Sequence, residues 1–118
     1  MAATLPVITP RERRPGGCCK PVVEPDLTAE SAAALALVAR ALADPTRLRI
    51  LDALRKAAPE AVCQCELVPL FEMSQPALAK HLKVLVSAGV VAAERRGVWS
   101  YYYVPEHSPV EELHAWLT

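Results

Sequence analysis

The stretch Ser74-Gln75-Pro76 followed by Leu78, Leu82, Leu85 and Val86 constrains this chain more than any other. A serine hydroxyl accepts hydrogen bonds from the backbone N–H groups that a helix start leaves unpaired, so Ser74 is a natural N-cap. Pro76 falls in the first turn, where a missing N–H costs nothing. The apolar residues recur at helical spacing and form one stripe. Gln75, Pro76, Lys80 and Lys83 lie around another side, with His81 beside them. Such a helix is either an ordinary amphipathic surface element or one whose amide and cationic groups reach base edges and phosphates. Its flanks decide between the two.

Upstream, Thr28 caps a first helix through about Ala43, with Glu30 in its first turn and an alanine-rich interior that lets another helix approach closely. Asp44-Pro45 starts a second helix to about Ala57, with Leu48, Leu51 and Leu54 expected to face the core. A short helix from about Cys65 to Phe71 and a turn at Glu72-Met73 lead into the Ser74 helix. Two short helices around a tight turn, the second cationic, read as helix-turn-helix. Ala88-Gly89 closes that helix. The β-formers in Val90–Arg96 and Gly97–Val104, with Arg95-Arg96-Gly97 at the reversal, predict a hairpin with a basic tip, a wing. Pro105 to Thr118 predicts a last helix with Val110, Leu113, Trp116 and Leu117 along one side. The expected fold is mainly α with a β-hairpin wing, a winged helix-turn-helix of order α-α-α-α-β-β-α over residues 26–118. Residues 1–25 hold five prolines and Gly16-Gly17, which forbids a long helix and predicts an extended, mobile arm carrying Cys18 and Cys19.

The 118 residues suffice for one domain, and 53% hydrophobic content suits a folded helical chain. No apolar run approaches the roughly 20 residues of a membrane span, and no secretory signal is visible, so a cytoplasmic protein without membrane contact is expected. The zero net charge conceals an uneven distribution. Between Ser74 and Val104 the cations Lys80, Lys83, Arg95 and Arg96 face only Glu94, whereas the tail carries Glu106, Glu111 and Glu112 with no Lys or Arg. This distribution leaves double-stranded DNA open as a partner for the helix-turn-helix. Gln75 is suited to adenine, Lys80, His81 and Lys83 to guanine edges and phosphates, and Arg95 and Arg96 to phosphate or minor groove; Ser74 opens the surface. No nucleophile-base set, paired acid/base carboxylates or Gly-rich phosphate loop points to an enzyme.

In sequence the chain resembles the ArsR/SmtB family of winged-helix metal-responsive repressors. The resemblance rests on Ala41-Leu42-Ala43-Asp44-Pro45-Thr46-Arg47-Leu48-Arg49-Ile50-Leu51, Val62-Cys63-Gln64-Cys65-Glu66-Leu67, the stretch Met73–Leu85, Ala88-Gly89-Val90-Val91 and Arg95–Tyr102. It implies a homodimer, joined through the first and last helices, that binds operator DNA when ligand-free and leaves it when an inducing ion binds. Cys63 and Cys65 resemble the arsenic- and cadmium/lead-sensing branches, which place thiolates at the start of the helix before the recognition helix. Val68 occupies the position where some arsenite sensors carry a third cysteine, so a local three-thiol site is not expected. The pair Cys18-Cys19 resembles arms that complete a site on the partner subunit. Trivalent arsenic or antimony prefers three thiolates and is the favoured inducer; cadmium or lead takes three or four and is the alternative, and no permanent cofactor is implied. If both were helical, Cys63 and Cys65 would point about 200° apart, so Cys63 is expected as the obligatory ligand, Cys65 as auxiliary, with arm sulfurs completing the set. A thiol redox switch joining Cys18 or Cys19 to Cys63 or Cys65 remains the rival. Glu112 and His114 faintly resemble half of the family's zinc site on the last helix, but without a second half no such site is expected.

Overall fold

A computed structural model describes residues 24–118, together with Val7 and Thr9. Cys18 and Cys19, and the arm expected over 1–25 apart from those few positions, lie outside the described residues. Capping side chains divide the chain into helices. Thr28 Oγ1 accepts from the Ser31 N–H at 3.1 Å and opens α1 (Ala29–Leu42). Asp44 Oδ2 accepts from the Arg47 N–H at 3.0 Å and opens α2 (Pro45–Ala57), with proline at the first position. Ala58, extended before Pro59, ends it. Val62–Cys63 form a two-residue strand, β1, and then α3 (Gln64–Phe71) and α4 (Gln75–Ser87) follow, with Ser74 Oγ accepting from the Ala77 N–H at 3.2 Å. Glu72 makes the turn between them in the left-handed conformation (φ 48°), a rare state for a residue with a Cβ.

Past α4, Gly89 at φ 74° reverses the chain, and the Val90 N–H reaches back to the Leu85 carbonyl at 3.1 Å. That reversal drives Val90 and Val91 into the core before the wing begins. The wing is β2 (Ala92–Arg96) and β3 (Trp99–Tyr103), joined by a two-residue turn with Gly97 at φ 64°, and α5 (Pro109–Leu117) closes the domain. β3 lies in the middle of an antiparallel sheet of order β1-β3-β2, with Cys63 opposite Tyr101 and Arg96 opposite Trp99. β1 is the one element the sequence reading lacks; two residues are too short to show a period of two.

One core runs through all layers: Val38 and Ala41 of α1, Ile50, Leu51 and Leu54 of α2, Leu67 of α3, Leu78, Leu82 and Leu85 of α4, then Val90, Val91 and Val110. Leu48, expected inside, is half exposed, and Ile50 takes its place. A spacing of three drifts about 60° per step, so Leu48 and Leu54 stand about 120° apart around α2 and cannot share one contact. On α5, Val110 is buried and Leu113 partly so, whereas Trp116 and Leu117 are exposed at its free end. Leu27, Leu35 and Ala39 join Leu113 and Trp116 around an apolar groove of about 240 Å³ between α1 and α5.

Among the described residues, Ser108 is the one buried polar side chain. Its hydroxyl donates to the Val90 carbonyl at 2.9 Å and accepts from the Val110 N–H at 3.4 Å, tying the turn after α4 to the start of α5. Ser108→Ala leaves a buried carbonyl unpaired and is expected to cost about 2 kcal/mol, read as a lowered urea midpoint with unchanged slope.

Candidate nucleic-acid interface and thiol pair

Burial of Leu78, Leu82 and Leu85 turns the opposite side of α4 outward and exposes Gln75, Lys80 and Lys83. Ser74 is exposed as well, although its hydroxyl already serves the cap. These residues and the wing form the candidate DNA surface. Arg95 and Arg96 are neighbours in sequence, but strand pleating sends their side chains to opposite faces of the ribbon. Arg95 Nε donates to the Gly97 carbonyl at 3.2 Å and braces the turn. Arg96 Nε lies 3.2 Å from Glu94 Oε2, with both side chains largely in water. An exposed pair of this kind contributes little and yields readily to a phosphate.

His81 does not share the outward side. It is half-buried, with Nδ1 3.4 Å from Arg47 Nη1 and 3.8 Å from Asp44 Oδ2. Arg47, absent from the residues singled out in the sequence, also donates through Nε to the Ala41 carbonyl at 2.5 Å and through Nη2 to the Arg40 carbonyl at 3.4 Å. The Arg47 backbone N–H, the nearby His81 and the guanidinium hold the Asp44 carboxyl below its ordinary range. Burial has the opposite effect and is outweighed.

The thiols sit where β1 becomes α3. Cys63 is the N-cap rather than a helical residue (φ −70°, ψ 144°), and its sulfur accepts from the Cys65 N–H at 3.4 Å. Glu66 Oε2 accepts in return from the Cys63 N–H at 2.8 Å, completing a capping box with sulfur in the place of a hydroxyl. The expected divergence of the two side chains therefore does not occur: Cys65 Sγ lies 2.6 Å from Cys63 Sγ. The spacing Cys-x-x-Glu carries the signal of that box, and reading Cys63 as a helical residue hides it. Cys63 is buried and Cys65 exposed. Sharing its proton with Cys63 pushes the Cys65 thiol up. Among the described residues no three or more His, Cys, Asp or Glu side chains gather as a metal site.

Gln64, between the two cysteines, reaches both α4 and the wing. Its Nε2 donates to the Gln75 carbonyl at 3.4 Å, and its Oε1 accepts from the Tyr102 hydroxyl of β3 at 3.4 Å. Burial raises the Tyr102 phenol above its ordinary range and keeps that donor protonated.

A capped, cationic second helix of a helix-turn-helix beside a two-stranded wing defines a winged-helix DNA-binding regulator. The profile of the bacterial regulatory protein arsR family matches residues 44–93. An uncharacterized HTH-type transcriptional regulator of Methanocaldococcus jannaschii is 38% identical over 55% of this chain and 71% of its own length. The arsenical resistance operon repressor of Bacillus subtilis is 41% identical over 53% of this chain and 58% of its own. The arsenic resistance transcriptional regulator ArsR1 of Pseudomonas putida is 34% identical over 80% and 65%. Among solved structures, a homodimeric winged helix-turn-helix DNA-binding domain of Mycobacterium bovis superposes with a TM-score of 0.63, 29% identity, and coverage of 80% of this chain and 83% of that one. This chain belongs to the ArsR family, whose members are DNA-binding transcriptional regulators and not enzymes. No helix among the described residues is long and apolar enough to cross a membrane.

Two outcomes follow from this geometry. Lys83→Ala and Arg96→Ala should each weaken DNA binding for all sequences alike and lower the slope of log affinity against log salt by about one, measured by fluorescence anisotropy. An unchanged slope removes that residue from the phosphate contacts. Because the folded Asp44 carboxyl is lowered, its contribution to stability is complete above the ordinary value near 4. It is lost as pH falls through the lower folded value. Asp44→Asn keeps a capping oxygen, so its acid unfolding curve should be shallower than that of the wild type below about pH 4.

Proposed function

We propose that this protein is a homodimeric transcriptional repressor that leaves its operator when a thiophilic ion, trivalent arsenic or antimony, binds Cys63 and Cys65. The observation that carries this reading is the convergence of the two sulfurs at the start of α3, 2.6 Å apart, directly before the recognition helix. Two converging thiols need one more sulfur for a pyramidal three-thiolate site, and Cys18 or Cys19 is the proposed donor, from the partner subunit. Four thiols together would suit cadmium or lead, the alternative inducers. The relatives named for arsenical resistance support the metalloid. The groove between α1 and α5, with Trp116 and Leu117 exposed beside it, is the proposed dimer contact. The dimer sets two α4 helices in successive major grooves and two wings on the flanking backbone.

When an ion replaces the thiol protons, Cys63 can no longer be shaped only by its capping role. Its sulfur accepts from the Cys65 N–H and its N–H is held by Glu66, so a shift at this atom moves the first turn of α3. Gln64 in that turn carries the shift to the Gln75 carbonyl and the Tyr102 hydroxyl, hence to the recognition helix and the wing. A coupling of about 1–3 kcal/mol is typical of linked sites. A second reading is a thiol redox switch in which Cys63 and Cys65 themselves, whose sulfurs converge, are the pair that an oxidant joins.

Serine caps a helix as well as cysteine does, so Cys63→Ser and Cys65→Ser should retain operator affinity while losing release by arsenite. The assay is anisotropy of a fluorescent duplex selected by the wild-type protein from random DNA, under strong reductant. Release that persists in a variant removes that cysteine from the site; wild-type release that requires an oxidant, and fails with arsenite, establishes the redox switch. Cadmium takes up thiolates and frees a proton from each thiol, so cadmium-driven release should sharpen as pH rises. Arsenite carries its hydroxyl groups off as water with the thiol protons and should show little such dependence.

A further inference from the structure

His81 lies on the helix that carries Gln75, Lys80 and Lys83, yet its ring turns inward to the corner where α1 meets α2. Lys80, the residue before it, lines a separate groove with Arg40, Leu37 and Lys83. The charged groups that face the ring are Asp44 and Arg47, both from the start of α2. Arg47 is itself pinned: its Nε and Nη2 donate to the Ala41 and Arg40 carbonyls at the last turn of α1, and its N–H donates to Asp44. One residue, Arg47, thus joins the end of α1, the cap of α2 and the middle of α4.

The two contacts at Nδ1 need different forms of the ring. A guanidinium only donates, so the 3.4 Å contact with Arg47 Nη1 requires a lone pair on Nδ1 and the ring proton on Nε2. A proton on Nδ1, whether in the charged ring or in the other neutral tautomer, removes that lone pair and leaves the ring only the longer approach to Asp44 Oδ2 at 3.8 Å. The charged ring also sets two cations against each other. We infer that His81 is a positioning residue for DNA binding: neutral, it holds α4 to the α1–α2 corner through Arg47, and it makes no contact with DNA itself. Protonation opens this clasp and lets α4 shift against α1, the helix proposed for the dimer contact. The inference rests on α4 being the helix that enters the major groove.

The two roles for His81 predict opposite pH and salt behaviour. A histidine on phosphate or base would bind DNA more tightly when charged and add about one to the salt slope. A clasp weakens binding on protonation and leaves the slope alone. The test uses the full chain and the selected duplex described above, with affinity measured at pH 6 and pH 8 and over a salt series. Wild-type affinity should fall by about threefold or more between pH 8 and pH 6. His81→Leu, which has no acceptor, should be about tenfold weaker at pH 8, insensitive to pH over this range, and equal to wild type in salt slope. His81→Asn, with an oxygen near the place of Nδ1, should restore affinity to within about twofold and abolish the pH response. Tighter wild-type binding at pH 6, or a slope reduced by about one in both variants, would overturn the inference. So would wild-type affinity and pH response in His81→Leu. Lys83→Ala is the control for the underlying reading: if it too leaves the slope unchanged, the assignment of α4 to the groove has failed rather than the role of His81.

Discussion

Leu78, Leu82 and Leu85 are fully withdrawn from water, and most of the molecule is arranged by that burial. Each is worth about 1.5–3 kcal/mol of transfer, more than any hydrogen bond on the other side of the helix. Their contact with α1, α2 and α3 sets the rotation of α4 about its own axis. Gln75, Lys80 and Lys83 face outward because the leucines cannot. The candidate DNA surface is therefore a by-product of packing, held by the least polar residues of α4.

Cys63 shows how one side chain can be structural and chemical together. As a cap, its sulfur meets the Cys65 N–H, while its own N–H meets Glu66. As part of β1 it pairs with Tyr101, so the start of α3 is fixed from the sheet as well as from the helix. An atom that organises two elements would be well placed to report a bound ion, as proposed for Cys63. Gln64, Tyr102 and Gln75 extend the same arrangement to the wing and to α4. The arginines of the wing show a plainer constraint: adjacent positions on a strand face opposite ways, so Arg95 supports the turn while Arg96 points to the other face and pairs with Glu94 in water.

What could be read without coordinates was whatever depends on nearest neighbours in the chain. Thr28, Asp44 and Ser74 begin helices because a side-chain oxygen can reach an N–H a few residues ahead, and Gly89 and Gly97 turn the chain because they lack a Cβ. These local rules, with the apolar periods, account for the helix order, the wing and the cationic side of α4. They do not find Ile50 in place of Leu48, since helical drift is judged against a partner surface that sequence does not contain.

Tertiary structure alone decided where side chains distant in the chain meet. His81 and Arg47 are brought together by the crossing of α2 and α4, and that contact turned a candidate base reader inward. Cys63 and Cys65 converge because β1 pairs with β3 and holds Cys63 extended, outside the helical geometry that would have parted the sulfurs. Capping and periodicity act over one turn of helix and are written in adjacent residues. Rotation of one element against another is set by the fit of whole surfaces, and only the folded chain brings those surfaces together.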